Sequence, residues 1–200
     1  YGLITNVGKA HLEGFGSIEG VARAKGELFR YLMENRKTVF QNIGNQFVVK
    51  LLQHDYPHVV RYNGENGLRV ISQSSDPLLE LRVTDGTQSV DLKTNLLGSY
   101  NAENVLAACC VGIHLGVSLT QISEAVREYH PQNYRSQLID SGKNLLFMDA
   151  YNANPTSMRL AIDEFLTFKK QNRMLILGEM REVGNSVRQE HEDLIRYLID

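Results

Sequence analysis

The stretch LLFMDAYNANPTSMRLAIDEFLTFKKQNRMLIL, residues 145–177, decides the fold class of this chain. It begins with an apolar run at residues 145–149 that is short enough for a strand. The Asn-Pro pair at 154–155 then has the composition of a helix start, with Asn as N-cap and Pro in the first turn. A second apolar run at residues 174–177 is typical of a buried strand, and a helical pattern covers residues 186–199. This order of strand, helix, strand and helix predicts a parallel α/β sheet.

Residues 1–129 carry a longer α/β pattern that includes a hairpin. Residues 2–7 form a short run typical of a buried strand, and residues 18–34 have apolar side chains at helical spacing. The Asp-Gly pair at 85–86 is a strong turn signal between two segments of alternating polarity. A further helical pattern begins at Ser118. Strands and helices alternate here too, with an antiparallel hairpin inserted among them.

A polar stretch, His-Pro-Gln-Asn at residues 130–133, separates the two patterns. Its proline and its lack of apolar residues are typical of a linker. We therefore predict an α/β chain of two pieces, residues 1–129 and residues 130–200.

Composition and charge exclude several classes of protein. The net charge of −2, without a Lys/Arg cluster, argues against nucleic-acid binding. No apolar run approaches the roughly 20 residues that cross a bilayer, and the first residues do not resemble a signal peptide. Cys109 and Cys110 are adjacent within an apolar helical pattern, where free thiols are more common than a disulfide. These features predict a cytoplasmic protein.

Lys25 is the residue whose position is most unusual. It lies four residues after Val21 and three before Leu28, so it falls on the apolar stripe of the helix predicted over residues 18–34. A buried lysine loses hydration, and its neutral amine can capture carbon dioxide as a carbamate, an anionic oxygen ligand. The alternative is a lysine whose stem packs while its ammonium group reaches solvent.

Other polar residues follow predicted strands or begin predicted helices. His11 comes after a strand and a Gly-containing loop, where α/β folds bind ligands, although a lone His is more often structural. Asn101 and Asn104 share one face of a helix start and match the donor and acceptor edge of adenine; capping is the alternative. Asp149 ends a strand and suits ribose hydroxyls. Arg135 follows the linker and suits a phosphate, or a surface ion pair.

Five stretches of the sequence together resemble the Mur ligase family. They occur in the family's order over nearly the whole chain, with divergent sequence between residues 35 and 96. Each alone is a weak signal, and five in order are a strong one. The stretches are Ile4–Gly16 (ITNVGKAHLEGFG), Ala22–Glu27 (ARAKGE), Leu97–Asn104 (LGSYNAEN), Asp149–Pro155 (DAYNANP) and Leu177–Gly184 (LGEMREVG).

The resemblance implies roles for six of these residues. It places His11 and Lys25 (as carbamate) at two magnesium ions, Asn101 and Asn104 at adenine, Asp149 at the ribose and Arg135 near the phosphates. Two positions depart from the family pattern, which usually has His where Tyr100 stands and Ser where Ala150 stands.

The resemblance also implies a fold and an activity. The fold is part of a central P-loop-type ATPase domain with a β-hairpin insertion, followed by part of a Rossmann-like C-terminal domain. The activity is ATP- and Mg²⁺-dependent joining of D-Ala-D-Ala to UDP-MurNAc-tripeptide through an acyl phosphate, in peptidoglycan precursor synthesis by a monomeric protein.

Several parts of such an enzyme are absent from this sequence, so the chain alone is expected to be inactive. It contains no Gly-x-x-Gly-Lys-Thr/Ser phosphate loop, and it lacks the N-terminal domain and the end of the C-terminal domain. The alternatives are a sibling ligase that adds a single amino acid, a folate-polyglutamylating enzyme, and a non-catalytic nucleotide-binding or scaffold piece.

Overall fold

The structure of this chain is a computed structural model that describes residues 1–9, 11–52, 55–169, 172–181 and 183–199. Ala10 and Glu182, which belong to the stretches quoted above, lie outside the described residues. The elements in chain order are β1 (Gly2–Leu3), α1 (Leu12–Phe15), α2 (Ile18–Glu34), β2 (Val39–Asn42), α3 (Gln46–Lys50), β3 (Val59–Tyr62), β4 (Arg69–Ser75), β5 (Leu78–Thr84), β6 (Ser89–Leu97), α4 (Ala102–His114), α5 (Leu119–Glu128), β7 (Gln137–Asp140), β8 (Leu145–Met148), α6 (Pro155–Thr167) and α7 (Val187–Ile199), with 3-10 turns at Ser99–Asn101 and Gly184–Ser186.

The N-terminal layer is a small parallel sheet covered by α2. The strands lie in the order β1-β2-β3, and Val39 of β2 pairs with both Gly2 and Val59. Helix α2 begins where the Ser17 hydroxyl accepts from the Gly20 N–H at 3.2 Å. Because its apolar side chains recur at helical spacing, one face of α2 closes a core against the sheet. That core comprises Ile4, Val7, Val21, Phe29, Leu32, Val39 and Val48.

The predicted hairpin is confirmed as part of a three-stranded antiparallel sheet. Strand β5 pairs with both β4 and β6. At the turn between β5 and β6, the Asp85 carboxylate accepts from the Gln88 and Thr87 N–H groups at 2.9 and 2.8 Å. These hydrogen bonds lower the pKa of Asp85 to about 2, so the carboxylate stays ionised and holds the turn. Helix α4 packs against this sheet and the parallel one, which joins them around one core.

Residues 134–199 contain a two-stranded antiparallel sheet with two helices beside it. Strand β7 pairs with β8, and Ile139 lies opposite Leu146. Helix α6 begins as predicted, with Asn154 as N-cap accepting from the Ser157 N–H at 2.9 Å. Helices α6 and α7 close a third core, whose buried members are Met158, Ile162, Met180, Val183 and Leu194.

The buried strand predicted at residues 174–177 is not formed. Among the described residues no strand pairs with this segment, and Met174 and Ile176 are 76% and 89% exposed. Apolar composition alone does not make a strand, since its backbone groups need a hydrogen-bonding neighbour. Here β8 takes β7 as its antiparallel partner, so the parallel sheet predicted for this region is absent from the described residues. The α/β class itself is confirmed.

Within the described part of the chain, no helix combines the length and the apolar character needed to cross a bilayer.

Candidate functional site

A network of hydrogen bonds joins the start of α4 to the start of the C-terminal part. The Tyr100 hydroxyl donates to Asp149 Oδ2 at 3.0 Å, and the Ser136 N–H donates to Asp149 Oδ1 at 3.1 Å. The hydroxyl groups of Tyr100 and Ser136 lie 3.3 Å apart. Burial raises the pKa of Tyr100, so its hydroxyl remains protonated and available as a donor. The predicted ribose-binding carboxylate is therefore held from two sides.

The two predicted adenine-binding amides lie side by side, but one is largely used within the protein. The Asn101 side chain is 8% exposed, and its Nδ2 donates to the Leu97 carbonyl at 2.7 Å and to Ser136 Oγ at 2.9 Å. Its Oδ1 accepts from Asn104 Nδ2 at 3.1 Å. The two amide hydrogens of Asn101 thus have protein partners, whereas Asn104 is exposed. Of the pair, Asn104 is the side chain with capacity for a ligand.

A second contact across the same junction was not predicted from the sequence. Glu164 of α6 is 8% exposed, and its Oε2 accepts from both the N–H and the hydroxyl of Ser99, at 3.0 and 2.9 Å. A buried carboxylate is stable only where it has such donors. Ser99 and Glu164 therefore tie α6 to the 3-10 turn that carries Tyr100.

Replacing Glu164 with alanine in the whole protein that contains this chain is expected to lower the free energy of unfolding by about 1–3 kcal/mol, because a half-buried N–H of Ser99 loses its acceptor. Urea-induced unfolding measures the change. The control is Glu128→Ala, an exposed position at the end of α5. Equal effects of the two substitutions would contradict a stabilising role for the Ser99–Glu164 contact.

Arg135 lies at the predicted position after the linker, but it faces a side chain in this structure. Its guanidinium carbon is 3.7 Å from the ring centroid of Tyr151, the geometry of a cation–π contact. Both residues are exposed. The guanidinium is therefore within reach of solvent and of any anion that binds beside Tyr151 and Asp149.

The predicted metal ligands lie in the N-terminal part. Lys25 is half-buried, and its Nζ donates to the Asn6 carbonyl at 2.9 Å. His11 is exposed, in the left-handed conformation (φ 52°) at the N-cap of α1. The same loop contacts the C-terminal part through Lys9, whose Nζ lies 3.0 Å from Glu190 Oε1 of α7. The loop at residues 6–11 is therefore a second point of contact between the two parts.

Lys25 meets the chemical requirement for a carbamate. Burial lowers the pKa of its amine, so the neutral form that reacts with carbon dioxide is more accessible than at a surface lysine. Its partner in the structure is a backbone carbonyl rather than a carboxylate, so no ion pair stabilises the charged form. These observations fit the predicted ligand role, and the exposed imidazole of His11 is accessible to an ion.

A cavity of about 670 Å³ opens beside the junction. Tyr100, Asp149 and Tyr151 border it together with apolar residues of β8, α6 and residues 174–177. This volume is within the usual range for small-molecule sites. An apolar wall with a few polar groups suits a flat ring attached to a polar sugar.

Sequence reasoning did not select Ser136 or Glu164, and it treated Tyr100 only as a departure from a family pattern. The signal for Glu164 was weak: it lies three residues after Ala161, on the edge of the apolar stripe of α6. Ser136 gave no signal at all, because its role depends on a contact with residues distant in sequence. His191, in contrast, was predicted to be structural; its Nε2 accepts from the Met180 N–H at 3.1 Å, which agrees.

Two family profiles match the chain. The Mur ligase middle domain matches residues 1–112, and the Mur ligase, glutamate ligase domain matches residues 134–200. The predicted boundary between residues 129 and 130 falls in the unmatched interval between them and stays a prediction.

Similar proteins match over both parts. The UDP-N-acetylmuramoyl-tripeptide–D-alanyl-D-alanine ligase of Haemophilus influenzae is 29% identical over 199 residues, which cover 98% of this chain and 43% of that protein. The Escherichia coli ligase of the same name is 33% identical, over 91% of this chain and 41% of that protein. A crystal structure of MurF from Acinetobacter baumannii has a TM-score of 0.86 and 27% identity, over 98% of this chain and 43% of that one. The chain thus spans less than half the length of these relatives.

Proposed function

Because this chain belongs to the Mur ligase family, we propose that it forms part of an ATP-dependent ligase that joins D-alanyl-D-alanine to UDP-MurNAc-tripeptide. The observation that carries the proposal is the match, over 98% of the chain, to a protein named for that reaction. The junction of Tyr100, Asp149 and Arg135 supports it, because it offers acceptors and a guanidinium beside a cavity of nucleotide size.

In the proposed reaction, the terminal carboxylate of the tripeptide attacks the γ-phosphate of ATP, and ADP leaves. The resulting acyl phosphate is attacked by the amine of D-Ala-D-Ala. The tetrahedral intermediate then collapses, forming the amide bond and releasing inorganic phosphate with the loss of a proton from the nitrogen. One ATP is consumed per bond, so ADP, phosphate and peptide product form in equal amounts.

The residues of this chain bind and orient the nucleotide in that scheme. Asp149 accepts from ribose hydroxyls, and Asn104, supported by Asn101, meets the adenine edge. Arg135 leaves the Tyr151 ring and donates two parallel hydrogen bonds to phosphate oxygens. His11 and the carbamate of Lys25 would hold Mg²⁺, which when bound neutralises charge on the phosphates.

The rest of the proposed protein completes the site. The phosphate loop and the domain that holds the UDP group would come from residues outside this chain, so these 200 residues alone are expected to give no ligation. We further propose that the protein is cytoplasmic and monomeric, as its small-molecule substrates require no membrane or nucleic acid.

The identity of the added group tests the proposal. The whole protein is incubated with ATP, Mg²⁺ and UDP-MurNAc-tripeptide, and phosphate release is followed with D-Ala-D-Ala or with single amino acids. We expect phosphate release and a product mass corresponding to one added dipeptide with D-Ala-D-Ala alone. Release driven equally by a single amino acid would overturn the assignment in favour of a sibling ligase.

A further inference from the structure

The Tyr100 ring is held in a fixed position at the junction. It belongs to the 3-10 turn Ser99–Asn101 that precedes α4, and it is half-buried. The ring lies directly over Gly98, where a side-chain methyl group would overlap it. Gly98 also has a φ of 85°, a conformation that glycine adopts readily. The turn therefore leaves the Tyr100 hydroxyl little freedom, and it points at Asp149.

Asp149 keeps unused acceptor capacity despite its two protein partners. A carboxylate has about four lone-pair sites, and Tyr100 and Ser136 each occupy one, on different oxygens. The side chain is exposed and borders the cavity. One site on each oxygen thus remains for an outside donor, and a ribose offers two neighbouring hydroxyl donors.

We propose that Tyr100 is a positioning residue for ribose recognition: its hydroxyl orients the Asp149 carboxylate so that the two remaining acceptor sites meet the 2′- and 3′-hydroxyls of ATP. This inference rests on the proposed function. Tyr100 itself does not touch the nucleotide. The Ser136 N–H fixes the other oxygen, so the two donors together set the plane of the carboxylate.

A purely structural role for Tyr100 predicts a different result. In that case the Tyr100–Asp149 contact would only tie the two parts of the chain together. Its loss would then weaken the protein for every nucleotide alike, and discrimination between ribose and deoxyribose would not change.

The test measures that discrimination in the whole protein. The variants are Tyr100→Phe, Asp149→Asn and the double variant, and the control is Tyr31→Phe, which removes a hydroxyl from a tyrosine that is 60% exposed on α2. For each protein, kcat/KM is measured with ATP and with 2′-deoxyATP. The ratio of the two values is internal to each variant, so general damage to folding cancels.

We expect the control to keep the wild-type preference for ATP, which we place at about 10- to 100-fold for a hydrogen bond to a charged group. Tyr100→Phe is expected to lower this ratio about 3- to 10-fold, through a higher KM for ATP and a nearly unchanged kcat. Asp149→Asn is expected to bring the ratio close to one, and the double variant to add nothing further.

Two outcomes separate this inference from the proposed function. If Asp149→Asn lowers the ratio and Tyr100→Phe does not, Tyr100 has no positioning role and the ribose site stands. If neither variant lowers it, the ribose assignment of Asp149 fails, and the inference about Tyr100 fails with it.

Discussion

Replacing Lys25 with alanine in the whole protein is expected to lower the rate of ligation about 10²- to 10³-fold, the loss typical of removing one fixed group that stabilises developing charge. The variant removes the amine on which the proposed carbamate forms. It also removes the hydrogen bond from Nζ to the Asn6 carbonyl. Steady-state release of phosphate with saturating substrates measures the effect.

Added carboxylates distinguish these two losses. Acetate or formate supplies anionic oxygens in place of the carbamate, so partial recovery of activity is expected at high concentrations. A carboxylate is an acceptor only and cannot replace the donor to the Asn6 carbonyl, so a purely structural loss would not be rescued. The control is Arg30→Ala, an exposed position on the same helix, which is expected to keep wild-type activity. Full activity in the Lys25→Ala variant would argue strongly against the carbamate.

Replacing Arg135 with alanine is expected to lower kcat/KM for ATP about 10²-fold, because one charge-assisted, bidentate contact to a phosphate is lost. Arg135→Lys is expected to recover only part of this, since an ammonium group cannot donate two parallel hydrogen bonds from a planar fork. Arg159→Ala is the matched control, because Arg159 also lies over a tyrosine ring, at 5.2 Å from that of Tyr197, but away from the junction.

Inhibition by nucleotides of different charge locates the missing contact. If Arg135 binds phosphate, ADP should inhibit the Arg135→Ala variant less strongly than the wild type, and adenosine should inhibit both equally. A parallel loss of adenosine inhibition would show instead that Arg135 supports the pocket through Tyr151 and has no direct contact with phosphate.

Local signals in the sequence predicted local structure well. The N-cap at Asn154, the capping box at Ser118 and the turn at Asp85 all occur as predicted. Each is set by hydrogen bonds within four residues, so a single stretch of sequence contains the whole interaction. Helix α2, predicted over residues 18–34, has exactly those bounds for the same reason.

Features that depend on distant partners were missed or wrong. The strand predicted at residues 174–177 has the right composition but no partner among the described residues. The contact between Ser99 and Glu164 joins residues 65 positions apart, and the one between Tyr100 and Asp149 joins residues 49 apart. The candidate residues Asn101, Asp149 and Arg135 were named from the sequence, but the bonds that orient them follow only from the packing of the two parts.

The segment that connects the two parts has an energetic consequence for their relative motion. Asn133, Tyr134 and Ser136 are all in the left-handed region, with φ of 60°, 56° and 49°. Such residues cost about 1–2 kcal/mol each outside glycine, somewhat less for Asn. Hydrogen bonds such as Ser136 N–H to Asp149 hold them there. The segment is a preloaded hinge: a rotation that opens the junction also lets these backbones relax, which offsets part of the cost of breaking the contacts at Tyr100 and Ser99.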